Sequence, residues 1–481
     1  MNLPPARRVP RPASRASPAG PATPVTGAAA SAPIAADPSR GAALFLPCAG
    51  GVEPLLADEC ARLLGPDARI EAARGGVVVH GDVLTAMRLN LHSRLAQRVL
   101  WPLAHGPYAD EHDLYALARR VPWPQWITPQ QTLRIDTTAQ RSPLHSLNFA
   151  TLRVKDAVCD VLREATGERP SVDTRRPDLP LALHVGPTHA TLYADTSGEA
   201  LFKRGWRDER AAGAAPRALR TEPRQQGQAA THGPAVSVRD GSAVKGEAPL
   251  KETLAAAMLA AAGWQGRPED GPLLDPFCGA GTLAIEAAQI ACGIAPGLNR
   301  RFAFETMLPF RAHLPQWQRL RQEALAQQHP PQVSIHAGDI SFRLTDFAAR
   351  NAQRAGVAHA IEFKTADALQ RTPPAAQGTI VMNPPYGERI APKGSGQKPA
   401  GREGFEGDSA ATEFFARLAT HWKRHYAGWT MWVLSPDMKL PQALRLKESR
   451  RVPMWNGPIE CRLFRFEVVA GSARPEGRSQ A

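Results

Sequence analysis

Apolar positions along the chain fall into two rhythms. Short β-branched or aliphatic runs, bounded by Gly, Pro or charged residues, predict strands; longer stretches with apolar residues three and four apart predict helices. From residue 42 onward the two alternate. Ala-Ala-Leu-Phe-Leu-Pro at 42–47 reads as a strand, a helix follows Gly50-Gly51 over 53–64, and 75–80 reads as a second strand. A helix opens near Val83, and its continuation to Arg98 sets cations beside apolar positions. Strands at 132–136, 181–185 and 191–195, with a helix over 149–165, complete a compact α+β module. The rhythm stops between 211 and 247 and resumes at Pro249 with a strong helix. Strands at 272–275, 332–337, 360–365 and 379–382 follow, the first and second separated by a long crossover. A helix over 410–425, a strand over 429–434 and a last pair of strands turning at Asn456-Gly457 end the ordered chain.

These breaks divide the chain into a tail over 1–41, a module over 42–208, a linker or insertion over 209–248, a second domain over 249–468 and a tail over 469–481. The tails and the insertion hold too few large apolar residues to offset ordering entropy, so they are expected to be disordered. The Gly- and Lys-rich stretch 393–408 reads as a loop that is either mobile or able to close over a ligand. The first tail has no apolar core of a secretory signal, and no apolar run is long enough to span a bilayer.

Charge changes the picture. A formal +13 over 481 residues favours a polyanionic partner without choosing between RNA, DNA and a membrane surface. Six cysteines are scattered with no CxxC pair or His cluster, which excludes a zinc site or disulfide framework and suits the cytoplasm. Cations recur in the first module at Arg94, Arg98, Arg119, Arg120, Arg134, Arg141, Arg153 and Lys155, near Trp123, Trp126, His145 and Phe149. Singly each suits a solvated face; as a set they predict an RNA-facing surface. Lys203, Arg204 and Arg207 in the basic turn after it either hold phosphate or cap the fold. Arg94, Arg98, Arg153, Lys155, Lys203 and Arg204 are the RNA-binding candidates.

The most constrained stretch is Thr379-Ile-Val-Met-Asn383-Pro384-Pro385-Tyr386. Its apolar half predicts a buried strand that stops at Asn-Pro-Pro, because proline donates no backbone hydrogen bond and biases its predecessor to extended geometry. The carboxyl ends of strands in open α/β sheets are where ligands bind. An exocyclic base amine is a weak nucleophile, since its lone pair is delocalised into the ring. The Asn383 side-chain oxygen and the Pro384 carbonyl are acceptors for its two hydrogens, and holding both favours a pyramidal nitrogen aimed at an electrophile. Tyr386 offers a face for an unstacked base. Taken alone, the four residues serve equally as a stiff turn.

What lies upstream weights the choice. Asp275-Pro-Phe277-Cys-Gly279-Ala-Gly281-Thr282 follows a short strand and opens an alanine-rich helix. Glycines let backbone approach a ligand, with the helix amino terminus beneath. Ala284 stands where a dinucleotide motif needs its third glycine, and no Gly-Lys-Ser/Thr follows for a triphosphate. Asp275, directly before the bend, suits a ligand with a cationic amino-acid end. Asp339 ends the next strand, where an acid accepts ribose hydroxyls, and Asp367 ends the third, placed for an adenine amine. Each acid singly reads as a cap or loop residue. Three at successive strand ends, with Asn-Pro-Pro-Tyr on the fourth, read as a cofactor edge.

This ordered set resembles the class I S-adenosylmethionine-dependent methyltransferases that act on exocyclic amines. The likeness covers most of 42–468. Gly50-Gly-Val-Glu-Pro-Leu-Leu-Ala-Asp-Glu, Asn90-Leu-His-Ser-Arg-Leu-Ala-Gln-Arg, Asp195-Thr-Ser-Gly, Lys203-Arg-Gly and Pro249-Leu-Lys-Glu-Thr, with the two stretches above, are similar to the THUMP-bearing RNA guanine-N2 methyltransferases. Among these the chain looks like the RlmL-like enzymes of the bacterial large ribosomal subunit, without the second methyltransferase domain of their long forms. The resemblance implies an α/β fold: a Rossmann-like, mostly parallel sheet with an antiparallel edge, preceded by a ferredoxin-like and THUMP-type RNA-binding module. It implies S-adenosyl-L-methionine as cofactor and RNA, 23S rRNA or a pre-ribosomal particle, as partner. Cofactor roles fall on Asp275, Phe277, Gly279, Gly281, Thr282, Asp339 and Asp367, and catalytic roles on Asn383, Pro384, Pro385 and Tyr386. Ser341 stands where the family often has a second acid, which leaves Asp339 as the ribose candidate.

The expected reaction is methyl transfer to the N2 amine of a guanine in 23S rRNA. No metal is expected, because a sulfonium is already a strong electrophile, and no strong base, because the amine gains acidity as it is alkylated. Rivals using the same loop are tRNA guanine-N2, DNA adenine-N6 and protein glutamine methyl transfer. An RNA-binding assembly factor with a degenerate pocket is the non-enzymatic rival.

Overall fold

A computed structural model of the chain describes residues 41–207, 250–385 and 409–469. The expected tails (save residues 41 and 469), the 209–248 insertion, Tyr386 and the 393–408 loop lie outside the described residues. The strands form one sheet of eight and one of seven.

The first sheet holds β1 (Ala42–Pro47), β2 (Ile70–Ala73), β3 (Gly76–Gly81), β4 (Leu100–Pro107), β5 (Thr132–Ala139), β6 (Ser171–Val172), β7 (Leu179–Val185) and β8 (His189–Asp195). Their spatial order is β2-β3-β1-β4-β8-β7-β5-β6. Alternation along these strands turns Leu44, Leu46, Val77, Val79, Leu181, Leu183 and Leu192 into the core. Helices α1 (Glu53–Leu64), α2 (Val83–His92), α3 (Glu111–Arg119) and α4 (Leu147–Thr166) accompany it. Three of them start on a side-chain cap that satisfies an otherwise orphaned amide: Asp82 accepts from Thr85 N (2.8 Å), Asp110 from His112 N (2.8 Å) and Ser146 from Phe149 N (3.2 Å).

One expected element is shorter than read. α2 ends at His92 rather than running on to Arg98. The cause is Glu59 of α1, a buried carboxylate that collects donors from the next residues: Ser93 Oγ (2.7 Å), Arg94 N (2.8 Å) and Leu95 N (3.3 Å). Satisfying that acid peels the chain off the helix.

The second domain contains α5 (Glu252–Ala262), β9 (Leu273–Asp275), α6 (Thr282–Ala291), α7 (Leu314–Ala326), β10 (Ile335–Asp339), α8 (Phe342–Arg354), β11 (Ile361–Thr365) and β12 (Gly378–Met382). α9 (Ser409–His425), β13 (Trp429–Ser435), α10 (Leu440–Leu444), β14 (Arg450–Asn456) and β15 (Ile459–Glu467) complete it. The sheet order is β11-β10-β9-β12-β13-β15-β14. Its first five strands are parallel, and β15 runs antiparallel to both neighbours. The strand order reverses direction beside β9, between β10 and β12, the position where open sheets gather ligands. The last hairpin turns one residue later than Asn456-Gly457 suggests. Asn456 still pairs with Ile459, and Gly457, at φ +63°, begins the two-residue loop.

One continuous core runs through both domains, and a second, among β12, α9, β13 and β15, lies within the second domain. The crossover between α6 and β10 makes much of the joint. Phe302, Phe304, Phe310 and Trp317 in it are buried, with Phe310 edge-on to Trp101 of β4 (5.9 Å, 81°). Backbone bonds stitch it to the first module: Gly297 N to Leu91 O (2.9 Å) and Phe304 N to Thr196 O (3.0 Å). A second seam joins the loop before α1 to β14. A Cβ on Gly51, at φ +80°, would lie 2.2 Å from the Pro453 carbonyl oxygen, so this approach requires glycine.

Candidate active site

β9 is three residues long and wholly buried, and it delivers Asp275 to the carboxyl edge of the sheet. The chain then bends through Gly279 (φ +51°) and Gly281 (φ +82°), left-handed conformations that a side chain disfavours. Gly281 N donates to Cys278 O (2.7 Å), and Gly281 caps α6. A Cβ there would press Ala348 of α8 at 3.0 Å, whereas nothing among the described residues lies within 4 Å of where a Gly279 Cβ would stand. One glycine is therefore needed for packing as well as conformation, and the other leaves an open face at the bend.

The acids come together as expected. In the spatial order β11-β10-β9-β12, Asp367, Asp339, Asp275 and Asn383 stand at or just past neighbouring strand ends on one edge. β9 and β12 are paired through Thr379–Leu273 and Ile380–Leu274, which puts Asn383 one strand from Asp275. Asp339 holds the edge together: Oδ2 accepts from Gly279 N (3.2 Å) and Oδ1 from Ser341 N (3.0 Å). Asp367 accepts from Leu369 N (2.9 Å). Asp275 is 2% exposed and accepts from Phe277 N (3.2 Å). Burial pushes its carboxyl up to about 7, against the Phe277 N–H and the Arg371 cation, which favour the anion; the Asp339 charge adds to the rise. Phe277 is half-buried, edge-on to Phe414 of α9 (6.1 Å, 70°). Asn383 is half-buried and Pro384 buried at the end of β12, with Pro385 half-buried beyond.

Thr282 departs from its expected role. It is buried, and its hydroxyl accepts from Arg207, which also donates to Leu250 O (2.9 Å) and pairs with Glu252 (2.7 Å). The side chain ties α6 to the segment entering the domain instead of facing the open side of the bend.

The basic residues divide. Arg94 and Arg204 both grip Glu286, a fully buried acid on α6, at 3.2 and 3.0 Å. Arg98 pairs with buried Asp195 and donates to Gly198 O (2.8 Å). These three point inward because buried carboxylates require cations, so the expectation that they face RNA is corrected. Arg204 and Arg207 thereby take the fold-capping alternative. Arg153, over the Tyr115 ring at 4.4 Å, is no more exposed than Arg98, whereas Lys155, beside Asp156 at 3.1 Å, and Lys203, beside Glu199 at 2.9 Å, stay nearer the surface. Among the described residues no group of His, Cys, Asp and Glu could hold a metal ion, and no helix is long and apolar enough to cross a membrane.

Three family models match the chain: an RlmL ferredoxin-like domain over 43–100, a THUMP domain over 108–195 and an RMKL-like methyltransferase domain over 239–465. A ribosomal RNA large subunit methyltransferase K/L from Syntrophotalea carbinolica is 36% identical over 431 residues, covering 87% of this chain and 52% of that protein. The chain spans about half the length of the curated relatives it matches. Among solved structures, SMU.472 complexed with SAH aligns at a TM-score of 0.72 and 23% identity, over 90% of this chain and 100% of that one. A Listeria monocytogenes protein named as a predicted N6-adenine-specific DNA methylase aligns at 0.68 and 26% identity, over 89% and 96%. The chain thus carries an RlmL ferredoxin-like domain and a THUMP domain ahead of an RMKL-like methyltransferase domain.

Proposed function

We propose that the chain transfers a methyl group from S-adenosylmethionine to the exocyclic N2 amine of a guanine in large-subunit (23S) rRNA. The observation that carries this is the pairing of β9 with β12, which sets Asp275 and Asn383 on one edge. The residues present fit the cofactor: acids at three adjacent strand ends, and an open face at Gly279. Asp275 would hold its ammonium group, Asp339 its ribose and Asp367 its adenine amine. When bound, the cofactor supplies a sulfonium methyl, an electrophile strong enough to need no metal.

The chain's own part is positioning. Asn383 Oδ1 and the Pro384 carbonyl accept the two amine hydrogens and so turn the nitrogen lone pair out of the ring plane. The two prolines fix those acceptors at the strand end. Proton loss follows transfer, since the alkylated amine is acidic. The first module supports an RNA substrate through its THUMP domain, and Arg153, Lys155 and Lys203 are its phosphate candidates.

The Listeria neighbour's name favours DNA adenine-N6 as the second reading; tRNA and protein glutamine share the same loop chemistry. Incubation with labelled cofactor and, separately, rRNA, tRNA, DNA and release-factor protein tests all four. Label in rRNA, recovered on digestion as N2-methylguanosine, is the expected outcome. Label confined to another substrate, or on another atom, overturns the proposal.

A further inference from the structure

Beneath the acid edge sits a cation with no role in the proposed methyl transfer. Arg371, between β11 and β12, is 7% exposed, and its Nη1 has no hydrogen-bond partner among the described residues. A buried guanidinium nitrogen without a partner is costly and calls for an electrostatic reason. Its surroundings supply one. Nη1 stands 2.3 Å from where a Cβ on Gly338 would be, so glycine at the last position before Asp339 is what admits the guanidinium to the strand end. There it faces Tyr426 just past α9, Glu362 of β11, Cys278 of the glycine bend and Asp275 of β9; burial opposes its charge, and the Glu362 and Asp275 carboxylates favour it. Its backbone is pinned as well. The carbonyl accepts from His421 Nε2 (2.7 Å) and Tyr426 Oη (2.8 Å), and the N–H donates to Asp367 O (3.0 Å). One residue thus touches the loop of Asp367, the strand of Asp339 and the field at Asp275.

We propose that Arg371 is a positioning residue for the donor edge: lodged against Gly338, its guanidinium keeps Asp275 anionic for the ammonium end of an S-adenosyl ligand. The inference rests on the reading of that edge as an S-adenosyl site. The groups facing Asp275 are Asp339, which disfavours a second negative charge, and the Phe277 N–H and Arg371, which favour it; the Cys278 thiol, pushed up by burial, stays neutral. Removing the guanidinium leaves only the amide on the favourable side. The carboxyl then takes up a proton at higher pH, and affinity is lost first where the solution is most acidic.

Calorimetric titration with S-adenosylhomocysteine, from about pH 6 to about pH 9, reads this directly. The unmodified protein should bind throughout, with affinity falling below about pH 7, where Asp275 titrates. Arg371→Gln should move that inflection up by about one unit, weakening binding about fivefold at pH 7, close to tenfold at pH 6 and little at pH 9. Arg371→Lys should restore most of the unmodified profile. Gly338→Ala, which displaces the guanidinium without deleting it, should shift the profile the same way and keeps the test alive if Arg371→Gln does not fold. Equal weakening at every pH in these variants, the mark of a merely structural role, overturns the inference, as does no weakening. Failure of the unmodified protein to bind S-adenosylhomocysteine overturns the S-adenosyl reading itself.

Discussion

At Asp275 burial and the proposed hold on an ammonium group pull in opposite directions. Its carboxyl, raised to about 7 in the folded protein, is ordinarily near 4 in an unfolded chain. Between those values the native state holds a proton that the unfolded state has released. The stability this confers is fully present below about pH 4 and lost as pH rises through about 7. Asp275→Asn, neutral and of the same shape, should therefore raise the stability of the ligand-free protein at pH 8 by on the order of a few kcal/mol. Thermal unfolding at pH 5 and pH 8 checks the sign, and S-adenosylhomocysteine binding should fall in the same variant. Asn383→Ala makes the complementary case: cofactor and RNA binding retained, methyl transfer reduced about a hundredfold or more. Single-turnover assays beside the two binding titrations separate these effects. Residues such as Asp275, Asp339 and Asn383 are legible in sequence because Gly or Pro marks the strand end beside each. Glu59 and Arg371 are not, because nothing local distinguishes a buried charge from a solvated one.

Helix α6 shows how one element serves both domains. It begins at the glycine bend and carries Glu286, little more than one turn further on, inside the joint between Arg94 and Arg204. Glu286→Gln leaves two buried guanidinium groups short of their anion and should cost about 3–5 kcal/mol; chemical denaturation measures it. Pairing that change with Arg204→Met should recover part of the loss, and full additivity would argue against direct coupling. The signal for Glu286 lay in the open, a lone acid in Leu-Ala-Ile-Glu-Ala-Ala, where an apolar helix face admits a charge only with a partner. Strand β4 was hidden for a different reason. Pro102, Gly106 and Pro107 interrupt it, and a register shift between Pro102 and Ala104 breaks the two-residue alternation. Its neighbours β1 and β8 supply the pairing that local sequence does not advertise.

Over the whole molecule, the continuous core predicts cooperative behaviour. Scanning calorimetry of the ligand-free protein should give a single transition for both domains, and Trp317→Ala should lower it without splitting it. Two resolved transitions would mean the joint is weaker than its buried aromatics suggest. The general architecture was legible because strands and helices alternate with clear punctuation. The joint was not, because contacts between distant segments leave no period in either one.

The crossover after α6 has a consequence for how such a protein can be re-engineered. The socket that receives the first module is written into the second domain, in Gly297, Phe304, Phe310 and Trp317. Exchanging the first module for a foreign one therefore cannot be done by cutting in the linker alone. A chimaera that keeps these aromatics beside a foreign partner would expose them to water, and its first symptom should be aggregation rather than altered target choice.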